Sequence, residues 1–367
     1  MPDIELRFHH DMLVLSAPAD AVLARQGIDA ARDRQYLNLM EPDAMRDAQR
    51  LELLAGAQCL VTATEDITRA RLAHLNMDGD ASQLARAALD IANELKPQHV
   101  LVEIGPCGLP LDPSSKASLN ENRGQYADAA RAFEDGGQFD AFFLNGFTNI
   151  ADLKCALMGV AQVSGKPVFA SVTLGEAKGV PAEGAKVVGI SPKEGEAASS
   201  VIPSVARDLR EAEVLEGVVA SYPFAADGFS LVDEAPTPPL PMAHRAPLDP
   251  AEWPEALDAM ADLGAAVVGF ETADPIAKVV EYASAAVERT SLPVLAQLRA
   301  SDQPASGAAA KGLTPLHDID AYTPDTMEPA AVKLFAAGVQ FLRATGAATP
   351  AFTGALAATV QGLDVRR

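Results

Sequence analysis

The sequence predicts an α/β fold, a (β/α)8 TIM barrel with a long insertion after the fifth strand. Three observations carry this expectation. Short β-branched runs recur along the 367 residues and alternate with segments that carry apolar residues at helical spacing, the pattern of repeated βα units around a parallel sheet. The runs are apolar throughout, as strands covered on both faces are. The chain is long for one ordinary domain, yet it falls within the range of roughly 200 to more than 400 residues that one such barrel with insertions occupies.

Taken in order, MLVLSA (12–17) supplies the first strand and CLVTAT (59–64) the second. LARAALDIANEL (84–95) reads as an amphipathic helix leading into HVLVEIG (99–105), the third. YADAARAFEDGG precedes DAFFLNGF (140–147), and ADLKCALMGVAQVSG precedes PVFASVTL (167–174). WPEALDAMADLG leads to AAVVGFET (265–272), LPVLAQL (292–298) follows as the seventh strand, and PAAVKLFAAG leads to VQFLRAT (339–345). Eight strands is the number that closes a barrel. Several of the helical segments finish on glycine, the usual helix stop.

The barrel is expected to take up the whole chain, 1–367, with residues 176–250 inserted in it. Between SVTLG and AEWPEAL these about 75 residues are rich in Gly, Pro and Ser, and so long a connection is either a functional lid or a linker. Inside it VIPSVARDLREAEVL reads as a helix and EGVVASYPF as a strand, so the insertion has structure of its own, at the catalytic mouth or at an oligomer interface. A second stretch, ASDQPASGAAAKGLTPLHDIDAYTPDT (300–326), reads as a mobile loop after the seventh strand.

Composition narrows the partners. With 49% hydrophobic and 22% charged residues there is ample material for a large core. The net charge of -21 repels phosphate backbones and anionic membranes, so nucleic acid and membrane are excluded as expected partners. The opening MPDIELRFHHDM lacks the pattern of a signal peptide, and no apolar run approaches the roughly 20 residues of a membrane helix; a cytoplasmic location is expected. Cys59, Cys107 and Cys155 are widely spaced and odd in number, which fits reduced thiols better than a disulfide framework.

Several segments, in the right order, resemble the homocysteine S-methyltransferase family, whose barrel also forms the first module of cobalamin-dependent methionine synthase. VEIGPCG (102–108) is similar to the family's SIGPTG turn after the third strand, AFFLNGFTNIADLKCAL (141–157) to LLIETMTDLEEAKAAL, KPVFASVTL (166–174) to LPVFVSLTF, and VQFLRATGAATPAF (339–352) to VNIIGGCCGTTPEH. The resemblance implies a barrel, methyl transfer to a small molecule, and a zinc ion held by three thiolates that keeps the acceptor thiol deprotonated. The positions matching those thiolates are Thr272, Thr345 and Gly346. Neither a hydroxyl nor a bare backbone replaces a thiolate, so the expected metal is none. The family's acidic residue in IET corresponds to Asn145, its DGAMGT segment to Ser16–Ala21, and its TNTF stretch reads TATE, with Ala63 and Glu65. Zinc-dependent homocysteine methylation is therefore not expected. A folate or a corrinoid partner protein remains the expected methyl source.

Polar residues at the strand ends are the first candidates for replacement chemistry, because barrel active sites lie there. They are Glu65, Asp66, Glu103, Asn145, Asn149, Glu271, Asp274, Gln297, Arg299 and Arg343. Glu65, Glu103 and Glu271 are candidate acid–base groups or ligands of a hard cation. Asn145, Arg299, Arg343 and Thr345 are candidates for substrate binding, the two arginines as a clamp on a carboxylate or phosphate. The alternative for each charge is a solvated or ion-paired rim. Glu103 sits in an apolar strand and needs a partner, for which Arg343 and Arg299 are the natural ones. His244 and His317 lie in mouth-side loops and would need a close partner such as Asp318 or Asp320 to hold a metal. Three functions stay open: a divergent methyltransferase-like enzyme for a small polar or anionic substrate, a non-catalytic binding or scaffold descendant, and a carboxylate- or metal-assisted lyase. A homo-oligomer is compatible with each.

Overall fold

The computed structural model describes residues 3–28, 30–75, 81–175, 246–300 and 322–363. Eight parallel strands close into a barrel in chain order: β1 Leu13–Leu15, β2 Cys59–Val61, β3 His99–Ile104, β4 Ala141–Phe147, β5 Val168–Thr173, β6 Val267–Thr272, β7 Val294–Ala300 and β8 Phe341–Gly346. Each lies in or overlaps the run expected to form it. Closure comes from β1 against β8, with Leu13 opposite Phe341 and Leu15 opposite Arg343.

The helices cover the outside: α1 Asp20–Arg25, α2 Ala30–Met40, α3 Pro42–Ala55, α4 Arg69–His74, α5 Ala81–Glu94, α6 Lys116–Gly136, α7 Ile150–Ala161, α8 Trp253–Asp262, α9 Ile276–Arg289, α10 Pro324–Ala336 and α11 Pro350–Val360. Helices α1 to α3 fill the stretch between the first two strands, for which the sequence pattern predicts no helix. Residues 176–245 lie outside the described residues, and with them the helix and strand expected in the insertion and His244. So do 301–321, with His317, Asp318 and Asp320. The last residues of the expected insertion return to the barrel: Leu248 makes a parallel bridge to Leu174. Among the described residues no helix is long and apolar enough to cross a membrane.

Alternation along the strands produces two cores, because successive side chains point to opposite faces. Leu13, Leu15, Cys59, Val61, Leu101, Ala141, Phe143, Phe169, Val267, Leu295 and Phe341 fill the barrel's interior. Their neighbours, among them Val14, Leu60, Val102, Leu144, Val268 and Leu342, pack against the helices. Ile4 and Phe8 close the N-terminal end, Phe8 lying edge-on to Phe169 and Phe341. Gly264 and Gly338, at φ +83° and +85°, end the α8 and α10 segments in the left-handed conformation that favours glycine.

His99 is an anomaly at this lower end. It opens β3, is fully buried, and neither ring nitrogen has a hydrogen-bond partner. Asp140 is 4.0 Å from its Nδ1. Burial lowers its pKa below the ordinary value, outweighing the pull of Asp140. The unfolded chain therefore takes up a proton that the native one refuses, so stability is expected to fall as pH drops below about 6.5. Thermal melts between pH 7 and pH 5 should show a steeper loss for the wild type than for His99→Leu; parallel curves would refute the assignment.

Candidate active site at the C-terminal mouth

Above the apolar layers the barrel's interior turns polar. The inward parity that points Phe341 into the barrel also points Arg343 there, and Arg343 is 2% exposed. Its Nε donates to Ser16 O at 3.0 Å, and its Nη1 donates to Glu103 Oε1 at 3.0 Å and to Gln297 Oε1 at 3.3 Å. Its guanidinium also lies 5.3 Å from the centre of the Phe143 ring. Asn145 Nδ2 donates to the same Glu103 Oε1 at 2.7 Å, while Gln297 Nε2 donates to Asn145 Oδ1 and to Ser171 Oγ, each at 2.8 Å. Five strands thus contribute to one buried network around a neutral Arg–Glu pair, which meets the demand that buried charges be paired and hydrogen-bonded. The strand pairing of Glu103 is fixed in turn by Thr62 Oγ1, which accepts from its N–H, and by Thr64 Oγ1, which donates to its carbonyl.

Glu65 stands over this floor, after β2. Its backbone carbonyl accepts from Gly105 N–H at 2.7 Å. Its side chain lies across two glycines: a Cβ built on Gly105 would meet Glu65 Cγ at 2.6 Å, and one built on Gly146 would lie 3.6 Å from Glu65 Oε1. Arg34 of α2 donates to Glu65 Oε2 at 2.9 Å and to Asp20 Oδ1 at 2.7 Å, and its Nη2 is 2.7 Å from Asp20 Oδ2. Burial pushes the Glu65 pKa up, Arg34 opposes this, and Asp66, Glu103 and Glu271 add to the rise, leaving it at about 7.

On the opposite wall Thr345 Oγ1 donates to Glu271 Oε1 at 2.7 Å, and Arg299 Nη1 lies 4.0 Å from that oxygen. The Arg299 side chain is 48% exposed. Arg299 and Arg343 therefore do not form a clamp: Arg343 is committed to the floor, and Arg299 alone reaches the rim. The three positions matched to zinc thiolates carry other duties. Thr272 Oγ1 accepts from Asp274 N–H at 3.0 Å, Thr345 serves Glu271, and Gly346 turns the chain at φ +67°. The cysteines lie elsewhere: Cys59 is in the lower barrel interior, and Cys107 and Cys155 pack in the outer core. Burial raises the Cys59 and Cys155 thiols, Cys155 to about 11. The donor set at the mouth does not fit a thiolate-bound zinc.

Three other candidates at the strand ends have partners within the fold. Asn149 caps α7 by accepting from Ala151 and Asp152 N–H. Asp274 braces its loop, accepting from Tyr282 OH at 2.7 Å while its carbonyl accepts from Tyr322 OH. Asp66 pairs with Arg71 at 2.9 Å. Arg34 and Ser171 are absent from the candidates the sequence offers, and Asp20 enters there only as part of the Ser16–Ala21 segment matched to DGAMGT. Arg34 lies in the helical excursion after β1; Ser171 carries a weak signal, a hydroxyl at an inward position of β5.

Comparison with known proteins gives this mouth a context. A family model described as homocysteine S-methyltransferase matches residues 20–270. The structure resembles homocysteine methyltransferase MmuM from Escherichia coli in its metallated form, with 15% identity and a TM-score of 0.59 over 95% of this chain and 96% of that one. The oxidized form of the same protein matches over the same shares at 14% identity and a TM-score of 0.60. No curated protein matches the sequence. At such identities the structural likeness shows the shared barrel.

Proposed function

The chain belongs to the homocysteine S-methyltransferase family, and from that premise we propose that it is a methyl-transfer enzyme in which a carboxylate, Glu65, activates the acceptor without zinc thiolates. The observation that carries this reading is the placement of Glu65 after a barrel strand, held by Arg34 at 2.9 Å and lying over Gly105 and Gly146; its burial raises the carboxyl pKa toward the range that a general base needs near neutral pH. The acceptor is a small polar molecule with an ionisable hydrogen. Glu65 Oε1 takes the proton, the acceptor atom attacks the methyl carbon, and the electrons of the broken methyl bond leave with the donor. Glu271 with Thr345 lines the other side, and Arg299 is the side chain available to an anionic group of the substrate. The methyl source we assign is a folate or a methylated corrinoid protein, met in the cytoplasm.

One observation favours a non-catalytic reading: Arg343 is neutralised by Glu103 in a buried pair, so the floor is self-satisfied without a ligand. The two readings separate in one experiment. The full chain is incubated with isotope-labelled 5-methyltetrahydrofolate or a labelled methyl-corrinoid protein and with small thiols, amines and hydroxy acids, homocysteine included, and the products are read by mass spectrometry. Label should appear in an acceptor other than homocysteine; its absence from every acceptor with both donors would leave the binding or scaffold reading.

A further inference from the structure

Glu65 is flanked by a support built from elements outside the strands. Arg34 reaches it from α2, and Asp20 at the start of α1 holds Arg34 from the other side by two contacts of 2.7 Å. The three side chains are comparably sheltered, at 24%, 24% and 26% exposure. An arginine held in this bidentate way presents its remaining N–H in a fixed direction, here to Glu65 Oε2. The glycines form the second half of the arrangement. No side chain larger than hydrogen fits at Gly105 while Glu65 keeps its place, and Gly146 leaves room beside Oε1.

We propose that Arg34 is a positioning residue for Glu65: clamped by Asp20, it pins Oε2 and leaves Oε1, over the Gly105–Gly146 cradle, as the proton-accepting oxygen. The inference rests on the reading of Glu65 as the base. A base must hold a fixed place to act on a bound acceptor, since displacements near 1 Å can cost about a hundredfold in rate. Arg34 also opposes the burial of Glu65. Among the described residues, the charged groups that act most strongly on Glu65 are Arg34 from α2, Asp66 from the loop after β2, Glu103 from β3 and Glu271 from β6; of these four, Arg34 is the positive one. Without it the balance of burial and neighbouring carboxylates shifts further toward the protonated form of Glu65. Arg34 itself feels burial first, but Asp20, Glu65, Glu103 and Asp66 outweigh this and hold it charged.

The test follows the Glu65 carboxyl by carbon-13 NMR in the full-length protein labelled at glutamate, with the resonance assigned from Glu65→Gln. In Arg34→Gln the proton affinity of Glu65 should rise about tenfold or more, and Arg34→Lys should recover most of the change because it keeps the charge. Gly105→Ala, which adds no charge, should move the Glu65 resonance by displacing the side chain. An unchanged titration in Arg34→Gln, or no recovery with lysine while the fold is intact by circular dichroism, would overturn the proposal. With a methyl acceptor in hand, Arg34→Gln should lower kcat far more than it raises KM. Absence of methyl transfer by the wild type would count against Glu65 as a base, whereas the titration reads the hold of Arg34 on Glu65 by itself, so the two failures are told apart.

Discussion

Replacement of Arg343 by alanine is expected to destabilise the protein by about 3–5 kcal/mol, the usual cost of removing one partner of a buried ion pair. Arg343 and Glu103 have side chains only 2% and 5% exposed. The truncation therefore leaves a carboxylate in the barrel with its cation gone, and Ser16 O and Gln297 Oε1 lose the donor that reaches them. Asn145 remains on Glu103 Oε1, which limits the loss without cancelling it, since a single amide does not balance a buried charge. Denaturant unfolding of Arg343→Ala beside the double variant Arg343→Met/Glu103→Gln checks the physical cause. Removing both charges should recover most of the loss, as buried pairs often exchange for uncharged groups at little cost. A cost below about 1 kcal/mol for the single variant, the range of an exposed pair, would show that the network does not hold the barrel.

Glu65→Gln is expected to lower kcat/KM for methyl transfer by about 10²–10⁴, the span that general base catalysis contributes. Glutamine keeps the shape over Gly105 and can still meet Arg34, so the loss reports the missing proton acceptor more than a collapse of the site. The pH dependence gives the sharper check. The wild type should gain activity as pH rises through about 7, since the carboxyl must lose its proton before it can accept another, and the profile of kcat/KM reports that ionisation in the free enzyme. In Glu65→Gln this limb should vanish. A surviving limb near pH 7, with activity retained, would assign the base elsewhere.

Much of this architecture was legible in the chain. Apolar β-branched runs of strand length alternating with helical periodicity place the eight strands, because burial on both faces leaves few polar residues in them. The loss of the thiolates was equally legible, since Thr272, Thr345 and Gly346 differ from cysteine in donor chemistry before any fold is considered. Glu103 announced itself as a carboxylate in an apolar strand that required a cation.

The choice of that cation belonged to the tertiary structure. Arg299 and Arg343 both occupy inward-facing positions, but the pairing of β7 with β8 sets Gln297 opposite Arg343 and Arg299 opposite Thr345. Arg299 is thereby one layer nearer the mouth, where it meets solvent, and Arg343 falls beside Glu103. The support of Glu65 was hidden for a different reason. Arg34 and Glu65 are 31 residues apart, joined only because the excursion between β1 and β2 brings α1 and α2 over the rim. Local periodicity records which face of an element is buried; it holds no record of which distant side chains that burial brings within hydrogen-bond reach. The sequence by itself thus determined the barrel and the absence of a zinc-thiolate donor set, and register and chain path decided which charges are spent on stability and which stand at the mouth.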